Sequence, residues 1–256
     1  MGGLRSMAER FSRGRSFRRH LPADFNRTPF IVTPDAALSY LKPDEAAYDM
    51  DLLRFALEYV KPGHVVWDIG ANIGVFTFAA AYLAGANGSV LAVEADIWLA
   101  TLLNRSRQLP ANRDLHVDIL PAAISDRAGL AKFHIAARGR ASNALADVGG
   151  RSQMGGTRET QLVPTITIDG LLDDMPMPNV VKIDIEGAEV LALRSATRVL
   201  REGRPVLYCE VGEQQNADVT AILRDAGYTL YDGNAPTADR VELDRCAANT
   251  LAVPTA

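Results

Sequence analysis

The fold is decided by residues 64–74, which read HVVWDIGANIG. The run from His64 to Asp68 is nearly continuously apolar, as is typical of a strand buried in a parallel sheet. Small residues follow and predict a tight turn, and the apolar stretch from about Gly74 to Ala84 predicts a helix. A second strand, Ser89 to Glu94, comes after a further turn, so the segment is one βαβ unit.

Strands and helices continue to alternate outward from this unit. Further helices are predicted over residues 49–60, 96–109, 190–200 and 216–226, and further strands over 117–124, 131–135, 180–186 and 206–211. Two last runs, 228–231 and 250–253, predict an antiparallel hairpin. This alternation predicts an α/β fold with a doubly wound, mostly parallel sheet of seven strands that ends in the hairpin.

Two segments break the alternation. The first 19 residues carry six arginines against one acid, Glu9. We interpret residues 1–44 as a basic, partly mobile extension to a single domain over 45–256; contact with acidic lipid or a phosphorylated substrate is the alternative. Residues 138–160 are rich in Gly, Arg and Ser and predict a loop, which either faces the substrate or is disordered.

Composition limits the function classes. The net charge of −4 gives no basic field that would gather nucleic acid, so we expect no nucleic-acid partner. Cys209 and Cys246 are too few for a disulfide framework and fit a reducing cytoplasm. No apolar run approaches the about 20 residues of a membrane helix. We therefore expect a soluble cytoplasmic protein without stable membrane insertion, and we leave homo-oligomerisation open.

The glycine turn at 68–74 has the features of a ligand site. Its small residues let a ligand approach the backbone, and the amides that start the next helix face that ligand. The spacing departs from that of dinucleotide enzymes because Asn72 stands in the middle position and the third glycine is missing. Glu94 ends the next strand, where a carboxylate can accept both ribose hydroxyl protons. A nucleotide-like ligand is predicted, with a bare tight turn as the alternative.

Charged residues occupy a strand that should be apolar. On the strand 180–186, Lys182, Asp184 and Glu186 fall on one face by the two-residue period. Because central parallel strands are normally apolar on both faces, these charges indicate the rim of the ligand crevice. The alternative is an internal ion pair between Lys182 and Asp184, with Glu186 starting the next helix.

Taken together, these segments resemble the FkbM family of S-adenosylmethionine (SAM)-dependent methyltransferases. The resembling segments are DIGANIG (68–74), VEAD (93–96), AAISD (122–126), VPTITIDGLL (163–172), VKIDIEGAE (181–189), RPVLYCEV (204–211) and NTLAVP (249–254). The resemblance covers roughly residues 45–254. It implies a Rossmann-like fold, SAM as cofactor, and methylation of a hydroxyl on a small-molecule acceptor such as a sugar or polyketide.

The resemblance also implies a cofactor site. Its residues would be Asp68, Gly70, Asn72, Gly74, Glu94, Ser125 and Asp126. The glycine turn would surround the methionine part of SAM, with Asp68 positioning the amino group or shaping the turn, and Glu94 would bind the ribose. Ser125 and Asp126 would lie at the adenine, and a simple Asx turn is the alternative for this pair.

The resemblance does not assign the catalytic group, because Gly212 stands where the family often has a histidine. Methyl transfer is an in-line displacement, so much of the catalysis can come from positioning. We rank Asp184 first as the base, followed by Glu186, with Lys182 opposing any rise in the pKa of a paired carboxylate.

Three alternatives stay open. We favour a mechanism without a metal, but a magnesium-assisted one would use Asp184 and Glu210, with Glu213 as the obvious third carboxylate. A nicotinamide-dependent oxidoreductase would share the fold and Glu94. It would also require the third glycine of the turn, which this sequence lacks. If the chain were a noncatalytic binding protein on this fold, we would expect it to lack the cofactor residues, but these residues are present.

Overall fold

The computed structural model describes residues 14–137, 139–146 and 156–255. In chain order, the strands are β1 (Phe17–His20), β2 (Pro29–Val32), β3 (Val65–Ile69), β4 (Ser89–Val93), β5 (Val117–Leu120), β6 (Ala123–Ile124), β7 (Gly129–Ala136), β8 (Ala144–Leu145), β9 (Thr157–Ile166), β10 (Val180–Ile183), β11 (Val206–Glu210), β12 (Tyr228–Asp232) and β13 (Asn249–Pro254). The α-helices are α1 (Met50–Tyr59), α2 (Val75–Ala84), α3 (Ile97–Arg107), α4 (Glu189–Arg194) and α5 (Asn216–Asp225). Among the helices of these described ranges, none combines the length and apolar character that crossing a membrane requires.

The central sheet has seven strands in the order β12-β13-β11-β10-β3-β4-β5. The pairs from β11 to β5 are parallel, whereas β13 runs antiparallel to both β11 and β12. The predicted Rossmann-like sheet with a C-terminal antiparallel hairpin is thereby confirmed. The strand order reverses between β3 and β10, and ligands of such sheets bind at the carboxyl ends of the strands beside this point.

Helices cover both faces of this sheet, which explains why its central strands are apolar on both sides. On one face, Val66 packs with aromatic residues of α1 and α2 such as Phe55 and Phe76. On the other face, Trp67 and Ile69 pack with apolar residues around α4 and α5. The alternation along β3 thus supplies both cores.

A second sheet, in the order β6-β9-β7-β8, lies outside the sequence prediction. The strand predicted over 117–124 ends at Leu120, and Ala123 and Ile124 pair instead with Thr165 and Ile166 of β9. The loop predicted over 138–160 is also wrong at its end, because β9 starts at Thr157 and pairs along β7. Residues 138 and 147–155 of that loop lie outside the described residues.

The N-terminal segment is structured from β1 onward. β1 and β2 form an antiparallel hairpin, Phe25 and Phe30 are buried, and the Ile31 N–H donates to Ser106 Oγ of α3 at 2.8 Å. The described part of the predicted basic extension is thus folded onto the domain, because its apolar side chains join the main core. Residues 1–13 lie outside the described residues, and the division at residue 44 stays a prediction.

Candidate active site

A cavity of about 180 Å³ lies at the carboxyl ends of β3, β4, β10 and β11, where the strand order reverses. Of the residues predicted from sequence, those in its lining are Gly70, Asn72, Glu94, Asp184, Glu186 and Glu210. The structure thus brings the glycine turn, the end of β4 and the charged end of β10 together in one cavity.

The glycine turn is held in a conformation that few other residues tolerate. Gly70 has φ +78°, and a Cβ atom on it would lie 1.9 Å from the backbone oxygen of Asp184. Only glycine lets the turn pass this close to the end of β10. Gly74, at φ +93°, instead faces Leu103 and Phe78, so it is required for packing beneath the turn.

Glu94 is a buried carboxylate at the end of β4, with 7% of its surface exposed. Its Oε2 accepts the N–H of Asn72 at 2.7 Å and its Oε1 accepts the N–H of Asp96 at 2.8 Å. Burial raises the pKa of Glu94 to about 8, against the opposing effect of these two N–H donors. Both oxygens keep lone pairs with which they can accept further hydrogen bonds.

Lys182 and Asp68 form a buried ion pair behind the cavity and do not line it. Lys182 Nζ donates to the Gly70 carbonyl at 2.6 Å and lies 3.4 Å from Asp68 Oδ1 and 3.6 Å from Asp184 Oδ2. Asp68 Oδ2 accepts the Thr77 hydroxyl at 2.5 Å. Burial alone would lower the pKa of Lys182, but Asp68 and Asp184 raise it above its ordinary value. Lys182 therefore stays charged and joins β3 to β10.

The predicted alternation of charged residues along β10 does not continue into the turn that follows the strand. The strand ends at Ile183, and Glu186 and Gly187 have φ of +52° and +107°, so the two-residue alternation does not reach Glu186. The Asp184 side chain is 37% exposed. Carboxylate oxygens of Asp184, Glu186 and Glu210 lie within 4.8 Å of one another. Glu186, and not the predicted Glu213, is therefore the third carboxylate of this cluster.

Two residues that the sequence analysis missed support this turn. Glu189, only 2% exposed, accepts the N–H groups of Ile185 at 3.3 Å and Gly187 at 3.0 Å through Oε1. Gln215 Nε2 donates to the Gly187 carbonyl. Burial raises the pKa of Glu189, opposed by the backbone N–H of Gly187. The available signal was an acid just after the Gly187-Ala188 pair, because a carboxylate at the start of a helix can accept backbone N–H groups of the preceding turn.

A second set of missed residues forms the wall opposite β10. Arg140 donates through Nε to Asp35 at 2.9 Å and through Nη1 to Asp96, and Asn143 Nδ2 donates to Asp96 at 2.8 Å. Arg158 pairs with Asp35 through two bonds of 3.1 Å. Arg140 and Asn143 line the cavity, so the described part of the predicted loop lies beside the site.

Ser125 and Asp126 lie outside the cavity lining. The Ser125 N–H donates to Ile166 at 2.9 Å, and its hydroxyl lies 3.4 Å from Asp126, which is exposed. The lining on this side is made by the three residues before them, 122–124. In this part of the chain, the cavity lining therefore ends one residue before the predicted pair.

Two sequence comparisons match this chain to known methyltransferases. The methyltransferase FkbM domain matches residues 68–230. Hexuronic acid methyltransferase AglP from Haloferax volcanii is 28% identical over 184 residues, which are 70% of this chain and 69% of the relative.

Solved structures also match. An FkbM methyltransferase from Methylobacillus flagellatus aligns with a TM-score of 0.44 and 15% identity, over 85% of this chain and 57% of that one. A SAM-dependent O-methyltransferase from Thermotoga maritima aligns with a TM-score of 0.45 and 15% identity, over 89% of this chain and 74% of that one.

Proposed function

Because this chain belongs to the FkbM methyltransferase family and is a methyltransferase, we propose that SAM is its methyl donor and that a small-molecule hydroxyl is its acceptor. One observation carries the proposal: the glycine turn and the buried Glu94 share a cavity with the carboxylate of Asp184. A donor site and a proton acceptor thus face the same space. The family membership removes the nicotinamide alternative.

The residues of the cavity fit SAM. Gly70 leaves the backbone bare, Asn72 Oδ1 is buried with no hydrogen-bond donor among the described residues, and Glu94 presents a buried carboxylate. We assign the methionine part to Gly70 and Asn72 and the ribose to Glu94. The cavity measures 180 Å³, less than the about 300 Å³ of a small ligand site, so we expect the wall carrying Arg140 to move outward on binding. Unchanged hydrogen exchange at 139–146 with saturating SAM would oppose this.

The other predicted cofactor residues receive supporting roles. The contacts of Asp68 with Thr77 and Lys182 favour shaping of the turn over direct contact with the amino group. Gly74 serves packing against Phe78. Ser125 and Asp126 do not line the cavity, so we propose residues 122–124 for the adenine instead.

When bound, SAM supplies a methyl group on a positively charged sulfur. We assign the acceptor proton to Asp184: its carboxylate takes the hydroxyl proton as the oxygen–carbon bond forms and the carbon–sulfur bond breaks. Asp184 suits this role because its side chain is accessible and its backbone is held in place. Its own N–H donates to the Ile69 carbonyl at 3.0 Å, and the N–H of the next residue, Ile185, donates to Glu189. Glu186 is the second choice. Lys182 takes no part in proton transfer because it stays charged.

A metal-assisted version is the second candidate, and the cluster of Asp184, Glu186 and Glu210 favours it. Magnesium takes oxygen ligands and keeps several waters, so three carboxylates around one point suit it. In this version, activity should vanish with a chelator and return with magnesium, whereas a metal-free base ignores both treatments.

The name of one relative bears on the class of the acceptor. A relative named for hexuronic acid favours a sugar or sugar derivative as the acceptor. Cys209 and Cys246 are both free and buried, which fits our assignment of the reaction to a reducing cytoplasm.

The test is mass spectrometry of a metabolite extract incubated with the protein and methyl-labelled SAM. We expect a new species heavier by one labelled methyl group, absent with Asp184→Asn. Recovery of all label in unreacted SAM, across extracts of varied origin, would contradict the donor or the acceptor. Calorimetry with SAM then separates the two, because it needs no acceptor.

A further inference from the structure

A second cavity, of about 420 Å³, lies in the N-terminal hairpin. Its polar lining consists of Arg18, Arg19, His20, Arg27 and Tyr48. None of these residues lines the first cavity. Its volume falls within the roughly 300–1,000 Å³ of small-molecule sites. We call it the basic cavity.

The basic cavity concentrates positive charge in a protein whose net charge is −4. Three of its lining residues are arginines, and no acidic side chain stands among the lining residues that the structure describes. Within the described ranges, Arg18 and Arg27 have neither an ion pair nor a hydrogen bond from their side chains. Their guanidinium groups therefore offer donors to an outside ligand.

The wall of the basic cavity is fixed in place. Arg19 Nη2 donates to the Lys42 carbonyl at 2.6 Å, and its guanidinium lies 5.9 Å from the centre of the Tyr48 ring. The Tyr48 hydroxyl donates to the His20 carbonyl at 2.7 Å. A ligand thus meets an arginine whose conformational entropy is already reduced, which lowers the cost of binding.

The turn that carries Arg27 is held in an uncommon conformation. Asn26 and Arg27 have φ of +50° and +51°, a region that costs free energy for residues other than glycine. The Asn26 N–H donates to Ala23 at 2.9 Å, the Arg27 N–H donates to Pro22 at 3.3 Å, and Phe25 is buried below. The fold therefore keeps Arg27 beside Arg18 and Arg19 at the cost of local strain.

We propose that the basic cavity binds a phosphate or diphosphate group. The planar guanidinium presents paired N–H donors that match phosphate oxygens, and several arginines around one concave site are the usual arrangement for this anion. The group can belong to a soluble phosphate ester or to a phospholipid headgroup. The inference does not depend on the methyl donor or on Asp184.

The test is calorimetric titration of the full chain with inorganic diphosphate at fixed ionic strength. Arg18→Ser with Arg27→Ser should weaken binding by at least about tenfold, because each arginine supplies charge-assisted hydrogen bonds. The matched control is Arg127→Ser with Arg201→Ser, which removes the same charge from exposed positions outside the cavity. It should change binding by less than about twofold. Arg18 and Arg27 have no side-chain partners among the described residues, so we expect both double variants to fold and to keep their methyltransferase activity.

Co-sedimentation with vesicles identifies the source of the phosphate. Vesicles of phosphatidylcholine with phosphatidylglycerol should retain the protein through Arg18 and Arg27 if the ligand is a headgroup, whereas pure phosphatidylcholine should not. Diphosphate binding without retention on vesicles assigns a soluble ester. Absence of binding in both arms, or equal binding by the wild type and the Arg18→Ser, Arg27→Ser variant, would overturn the proposal.

Discussion

The two sides of the first cavity hold their polar groups in opposite ways. On the side we call the cofactor side (Gly70, Asn72 and Glu94), Glu94 is 7% exposed and each of its oxygens accepts a backbone N–H. On the carboxylate side (Asp184, Glu186 and Glu210), the Asp184 side chain is 37% exposed. Buried, pre-oriented groups suit binding of a constant ligand, whereas accessible carboxylates suit proton exchange with a changing acceptor. The first side should control affinity for SAM and the second should control turnover.

The largest effect is expected where the two sides touch. In Gly70→Ala, the new Cβ would lie 1.9 Å from the Asp184 backbone oxygen, so SAM binding should be lost together with part of the stability; Gly70→Val should be worse. Calorimetry and thermal melting measure both. Gly63→Ala is the matched control, because Gly63 has a similar φ of +84° but nothing within 4 Å. Equal behaviour of the two variants would show that strain alone, and not the contact between the sides, matters.

On the carboxylate side, Asp184→Asn should lower turnover by roughly a hundredfold or more while SAM affinity changes little. The amide keeps the size of the side chain but cannot take the proton. Steady-state kinetics with the identified acceptor measures the effect, and Glu213→Gln, an exposed carboxylate outside the cluster, is the control. Near-normal turnover in Asp184→Asn would move the base to Glu186 or Glu210.

On the cofactor side, Glu94→Gln should weaken SAM binding by roughly 1.5 to 3 kcal/mol at pH 9, the scale of a hydrogen bond to a charged group. The wild-type pKa of about 8 means that the free carboxyl is largely protonated at pH 6. SAM favours the ionised form, so wild-type affinity should increase from pH 6 to 9.

The variant isolates this effect, because the amino group of the ligand titrates in both proteins and only the wild type also has the Glu94 carboxyl. Calorimetry at several pH values gives, for each of the two proteins, the slope of SAM affinity against pH. Identical slopes would remove Glu94 from the ribose site.

A smaller effect is expected at Glu189, which supports the carboxylate side without lining the cavity. Glu189→Ala removes the acceptor for the N–H groups of Ile185 and Gly187 and should lower turnover by roughly tenfold. Glu189→Gln keeps one acceptor oxygen and should recover most of this loss at unchanged SAM affinity. Turnover assays, compared with the thermal melting of each variant, distinguish a loss of positioning from a loss of folded protein. Equal loss in both variants would argue against a role through these bonds.

Local sequence patterns predicted where Gly70 and Glu94 lie, whereas they predicted the backbone at Glu186 wrongly. Apolar strands and the glycine turn have local signals, and a parallel sheet puts the ends of β3 and β4 side by side, so Gly70 and Glu94 follow from pattern alone. Glu186 was assigned by the two-residue period, which fails because its backbone is left-handed. This turn is supported locally by Glu189, but also by Gln215, which donates to the Gly187 carbonyl from 28 residues away in the chain.

Contacts between residues that are distant in the chain also limit prediction of the second sheet and of the cavity wall that carries Arg140. β9 pairs with β7 across a segment without periodicity, and its exposed positions are mostly polar. Arg140 is fixed by Asp35 and Asp96, which lie 105 and 44 residues away in the chain. Contacts at such separation leave no local pattern, so the loop composition alone could not distinguish a cavity wall from disorder.

The central claim is that affinity and turnover belong to opposite sides of the cavity. Its most direct test is one SAM titration, at pH 9, of the wild type, Glu94→Gln and Asp184→Asn, each shown to be folded by thermal melting. We predict that the wild type binds, that Glu94→Gln binds roughly 10- to 150-fold more weakly, and that Asp184→Asn matches the wild type. No binding by the wild type, or equal weakening in the two variants, would contradict the account.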